Sequence, residues 1–137
     1  MKKALALLYG KNPDPRTVIL MSLWPAAFVV YLFLSYPFEW KLVATAFLAF
    51  DILAGLLSNS TEGTHEAWRE LPKKALVVFV IFHLTLYPLL VVLFSVDTPL
   101  MMFLLATLVV KTAFFAIGTG LWICPWMKKT QNKKRAR

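Results

Sequence analysis

The sequence predicts an all-α, polytopic membrane protein, with four transmembrane helices in an antiparallel bundle and both termini in the cytoplasm. Three observations lead there. Apolar residues make up 59% of the 137-residue chain and charged residues 16%, against about 45–50% and about 25% in soluble domains. The apolar residues are gathered into four blocks separated by short polar segments. Lys and Arg fall almost entirely on one side of the membrane that four spans would define.

Taken in order, residues 1–16 form a cytoplasmic or interfacial segment. Lys2 and Lys3 precede a short apolar run, Ala4 to Tyr9, and Asn12-Pro13-Asp14-Pro15 is a breaker cluster. The first span is expected over 17–36. At 1.5 Å per residue it covers about 30 Å, the hydrocarbon thickness. Pro25 lies inside it, which membrane helices tolerate. The short turn Pro37-Phe38-Glu39 leads to the second span, 40–59. The stretch from Ser60 to Pro72 is the most polar interior segment, with Glu62, His65, Glu66, Arg69 and Glu70. The third span covers 73–95. Asp97-Thr98-Pro99 is a tight turn with an N-cap, and the fourth span covers 99–123, so the transmembrane domain is 17–123. Residues 124–137 form a basic cytoplasmic tail. The blocks are twice the length of a membrane β-strand and do not alternate in polarity.

Topology follows from charge. Lys2, Lys3, Lys11 and Arg16 precede span 1. Arg69, Lys73 and Lys74 lie between spans 2 and 3. Lys128, Lys129, Lys133, Lys134, Arg135 and Arg137 follow span 4. Only Lys41 falls on the opposite side, which places both termini on the cytoplasmic side of a cell membrane. Tyr36, Trp40, Trp122 and Trp126 sit at span ends, as interfacial anchors do. The net charge of +8 is therefore read as contact with anionic lipid and not as a nucleic-acid surface, for which no motif is present.

The single cysteine, Cys124, excludes an intramolecular disulfide and a CxxC metal site. There is no HExxH, no dense His/Cys cluster and only one histidine within a span, so neither a metal nor a haem nor another cofactor is expected. His65, outside the spans, reads as a solvent-exposed loop residue.

Three ionisable residues fall inside spans: Asp51, His83 and Lys111. Each costs about 2.5–3.5 kcal/mol at a helix centre. Counting rise per residue, Asp51 and Lys111 lie about 16 and about 18 Å from the outer face, and His83 about 15 Å from the inner face. All three thus reach the midplane from three different helices. Asp51 and Lys111 can pair, and His83 can hydrogen-bond to either. Asp51, Gly55 and Asn59 are spaced i, i+4, i+8 on one stripe of span 2, and Tyr87 shares a face with His83. The candidate polar site is Asp51, Asn59, His83, Tyr87 and Lys111, with Gly55 and Gly118 as helix-packing positions where a neighbouring backbone can approach.

The stretch Phe50-Asp51-Ile52-Leu53-Ala54-Gly55-Leu56-Leu57-Ser58-Asn59-Ser60-Thr61, with Thr64 and Trp68-Arg69 after it, resembles a pattern in small uncharacterised bacterial four-span integral membrane proteins: Asp-x3-Gly-x3-Asn-x-Thr and then an aromatic-basic pair. Phe82-His83-Leu84-Thr85-Leu86-Tyr87-Pro88 is similar to a histidine-containing, proline-terminated stretch of the same group. The group often has more histidines near the third span, and this chain has only His83, which tells against a metal or haem. The resemblance implies no activity.

Three functional readings remain open, and the sequence does not decide whether the protein is an enzyme. The first is a membrane protein handling a proton, ion or small solute at the midplane, with Asp51 as the exchanging carboxylate. The second is a membrane-embedded lipid-modifying enzyme. The third is a non-catalytic assembly or accessory subunit, in which the polar residues only fix helix packing. The expected partners are the lipid bilayer and a homo-oligomer or larger membrane complex.

Overall fold

The structure, a computed structural model, describes residues 2–121. The last residues expected in span 4, Trp122, Cys124, Trp126 and the basic tail 124–137 lie outside the described residues. Six helices follow one another: α1 (Lys2–Tyr9), α2 (Pro15–Ser35), α3 (Trp40–Ser58), α4 (Glu62–Arg69), α5 (Lys73–Phe94) and α6 (Thr98–Gly118), with no strand among the described residues. Four of them, α2, α3, α5 and α6, have 19 to 22 residues and are long and apolar enough to cross a membrane. The chain is a multi-pass membrane protein in contact with lipid.

Local chemistry sets the ends. Pro15 opens α2, where a fixed φ and a missing N–H are no handicap. Asp97 caps α6 by accepting the Leu100 N–H at 2.8 Å, a contact of about 1 kcal/mol in such caps. α6 closes at Gly118, earlier than the span expected from composition. The chain leaves it through Gly120 at φ +74°, a conformation that ends helices and favours glycine.

α3 and α6 are the central pair. α2 packs on α3, and α5 on α6 and α3. The flanking helices expose rows of large apolar side chains, among them Leu20, Leu23 and Leu34 on α2 and Val78, Ile81 and Leu84 on α5. In water that surface would be costly; against acyl chains it is matched. The apolar core occupies one half of the bundle, built from Leu32, Leu42, Ala49, Ile52, Val91, Leu104 and Leu108. At that end the Tyr36 hydroxyl donates to the Asp97 carboxylate. Thr45 Oγ1 donates to the Phe94 carbonyl at 2.5 Å, tying the N-terminal half of α3 to the end of α5.

The other half is closed differently. α1 and α4, two helices that the sequence patterning leaves unassigned, lie across it. The last carbonyls of a helix lack intrahelical partners. In α1 these are supplied from elsewhere: Ser58 Oγ donates to the Leu8 carbonyl at 2.5 Å and Trp68 Nε1 to the Leu7 carbonyl at 3.1 Å. Gly10, at φ +90°, runs against Gly63 so closely that a Cβ there would lie 3.0 Å from the Gly63 carbonyl carbon. Lys11 N–H donates to the Gly63 carbonyl at 3.3 Å and its Nζ to Glu70 Oε1 at 2.5 Å. Arg69 fixes α4 to α6 by donating to the Gly118 carbonyl from Nε at 3.0 Å.

Candidate functional site

Between these two closures lies a cavity of about 300 Å³, walled by α3, α5 and α6, bordered by α2 and roofed by α1 and α4. Asp51, Gly55, Asn59, His83, Tyr87 and Lys111 all line it.

Asp51 sits near the middle of α3. Its Oδ2 accepts from the Tyr87 hydroxyl at 2.5 Å and from Lys111 Nζ at 3.0 Å. Lys111 Nζ also donates to the Asp51 main-chain carbonyl at 3.3 Å. The pair is asymmetric: the Lys111 side chain is 4% exposed and that of Asp51 43%. Lys111 reaches Asp51 by lying across Gly55, where a Cβ would overlap its Cε and Nζ. What approaches Gly55 is thus a side chain, not the neighbouring backbone expected from the small-residue stripe. The ammonium lies 5.5 Å from the centroid of the Tyr87 ring.

His83 bonds to neither Asp51 nor Lys111 among the described contacts. Its Nδ1 lies 2.8 Å from the Phe79 carbonyl. A carbonyl can only accept, so Nδ1 carries a proton, and in the neutral ring Nε2 is left as an acceptor. The ring is held in a column along α5, with centroids 3.9 Å from Phe79 and 4.8 Å from Tyr87. The i, i+4 spacing of these aromatics makes the column a local consequence of helix geometry.

Asn59, buried at the end of α3, donates from Nδ2 to the Lys111 carbonyl at 3.4 Å. Its own carbonyl lies 2.6 Å from His65 Nε2. His65 is therefore not an exposed loop residue. It is buried on α4, with its ring laid against Gly118, where a Cβ would collide with it. Gly118 does not line the Asp51 cavity; it borders a separate recess with His65 and Glu62. Glu62 bonds Arg69 Nη1 at 2.8 Å, and that hydrogen bond holds its carboxyl below the ordinary 4.5. Among the described residues no group of three His, Cys, Asp or Glu could hold a metal ion.

The roof contributes residues that sequence reasoning did not place at the site: Leu7, Leu8 and Tyr9 from α1 and Trp68 from α4. Their signal is faint. Thr64, His65 and Trp68 recur at helical spacing in a segment dominated by charges, and α1 spans only 8 residues. A further apolar groove of about 630 Å³ runs between α3 and α5 and shares Phe82 and Tyr87 with the cavity.

Compared with known proteins, the chain matches no family model, no curated protein and no solved structure.

Proposed function

We propose that the protein handles a proton, ion or small solute at this cavity, as a small multi-pass protein of a bacterial inner membrane with both termini in the cytoplasm. The observation that carries the reading is the asymmetry of the Asp51–Lys111 contact. A carboxylate in the middle of a span is held by a covered ammonium yet left 43% exposed. A pair serving only to lock helices together has no need to keep one member open, and intramembrane carboxylates with such access commonly mark ion and solute pathways.

In this reading Asp51 is the exchanging carboxylate and Lys111 sets its charge state. Tyr87, bonded to Asp51 and stacked on His83, links the two titratable groups. The Lys/Arg asymmetry supports cytoplasmic termini, which puts α1 and α4 at the cytoplasmic mouth. Four helices enclose a site but hardly a wide path, so transport favours a homo-oligomer or a larger membrane complex.

The apolar groove that shares Tyr87 with the cavity supports a second reading, a lipid-modifying enzyme admitting an acyl chain between α3 and α5. Reconstitution in liposomes separates the two. A pH-dependent flux abolished by Asp51→Asn is the expected result. Unchanged flux in that variant overturns the transport reading. Headgroup turnover without a gradient selects the enzyme, and loss of nothing but assembly selects an accessory subunit.

A further inference from the structure

Resting on the cavity as the working site, the geometry points to a ligand class: a small organic monocation, bound at Asp51 in exchange for one proton released from Lys111. Four observations lead there. The accessible member of the ion pair is the carboxylate, since Asp51 is 43% and Lys111 4% exposed. The unused hydrogen-bonding capacity is mostly acceptor, so the polar atoms of the wall present negative charge that attracts a cation with or without N–H groups. Asp51 Oδ1 has no protein partner among the described residues, both contacts going to Oδ2. In the neutral His83 ring Nε2 is an acceptor, since Nδ1 serves Phe79, and Asn59 has spent an amide N–H on Lys111 and keeps its Oδ1. The walls carry the rings of Tyr9, Phe50, Trp68, Phe82 and Tyr87, whose faces attract cations. The volume of about 300 Å³ is that of about ten liquid waters, enough for a body of about ten non-hydrogen atoms.

Charge balance then fixes the exchange. Asp51 and Lys111 together are neutral. A bound monocation would leave the cavity with a net positive charge among apolar and aromatic groups, which is unfavourable. The other titratable groups facing the pair are His83 and Tyr87 on α5 and Tyr9 on α1; α2 and α4 bring no charged side chain to the wall. The Tyr87 proton already serves Asp51, and a His83 ring whose single proton is on Nδ1, toward Phe79, has no charge to give up. Neutrality is restored when the Lys111 ammonium releases one proton to water and becomes an amine, while the ligand cation takes its place on the Asp51 carboxylate. No other bond changes.

The test uses the full chain in detergent micelles and benzyltrimethylammonium, a permanent cation, so that any proton released comes from the protein. Benzenesulfonate and benzyl alcohol serve as anionic and neutral probes of similar size. Calorimetry gives affinity, and a pH-indicator dye in weak buffer gives proton release. We expect the cation to bind best, to release about one proton, and to bind about tenfold more tightly per pH unit while Lys111 is charged in the free protein. Lys111→Met should bind the cation without proton release. Lys111→Arg, which keeps a charge that cannot be given up, should lose at least tenfold in affinity while remaining folded. Tighter binding of benzenesulfonate, or cation binding that is independent of pH and proton release, overturns the exchange. If only the anionic or neutral probe binds, and Asp51→Asn removes that binding, the cavity stands as a site and the cation assignment falls. If none of the three binds, both fall.

Discussion

Replacing Gly55 with alanine isolates the contact that holds Lys111 on Asp51. A Cβ at this position would overlap Lys111 Cε and Nζ and sit 3.1 Å from Cδ. The end of a lysine is flexible, so the overlap is relieved by swinging the ammonium away, and the steric cost itself is small. What is lost is the donation to Asp51 Oδ2 at 3.0 Å and to the Asp51 carbonyl at 3.3 Å. Hydrogen bonds to charged groups contribute about 1.5–3 kcal/mol each, and the exposure of Asp51 reduces this to about 2–3 kcal/mol in total. Against it stands the helix preference of alanine over glycine, about 1 kcal/mol. The net expectation is a destabilisation of about 1–2 kcal/mol. In a Lys111→Ala background the collision is gone, and the same Gly55→Ala change should be neutral or stabilising by up to about 1 kcal/mol. The coupling between the two sites is then about 2 kcal/mol. Reversible unfolding in mixed micelles, followed by tryptophan fluorescence, measures all four proteins. Equal effects of Gly55→Ala in both backgrounds would refute the placement of Lys111 across Gly55.

Gly118→Ala should be more costly, since the rigid His65 ring, not a flexible chain end, occupies the space; a loss of about 2–3 kcal/mol is expected by the same assay, and a stabilised variant would contradict it. Asp97→Ala removes the α6 cap and the Tyr36 contact and should cost about 1–2 kcal/mol, with the cavity residues undisturbed. Trp68→Phe frees the Leu7 carbonyl at the end of α1, so hydrogen exchange should accelerate in α1 while the spans remain protected; uniform acceleration would mean that α1 is not a separate closure. Arg69 holds the Glu62 carboxyl below its ordinary value of 4.5. A group depressed in the folded state contributes stability that is present above that value and lost as pH falls through the lower, folded one. Loosening of α4 should therefore set in below about pH 4.5, and Glu62→Gln should remove that acid-dependent component.

Hydropathy and block length alone are enough to set the class of structure. The length of the four blocks and their scarcity of charge leave no other way to satisfy backbone polar groups in hydrocarbon than helices that span it. Asp51, His83 and Lys111 stood out for the same reason, because an ionisable residue in such a block is costly and therefore noticeable. Tertiary structure decided what each of them touches. Hydropathy reports how a segment partitions between water and lipid, whereas the partner of a side chain depends on the rotation of each helix about its axis and on which small residues make room. Hence Lys111 lies on Gly55, His83 turns to its own helix, and His65 is buried against Gly118. α1 and α4 were hidden from the same pattern. At 8 residues each they are too short to hold themselves as helices in isolation, and they form here because Ser58, Trp68 and Arg69 supply partners that only the folded bundle brings within reach.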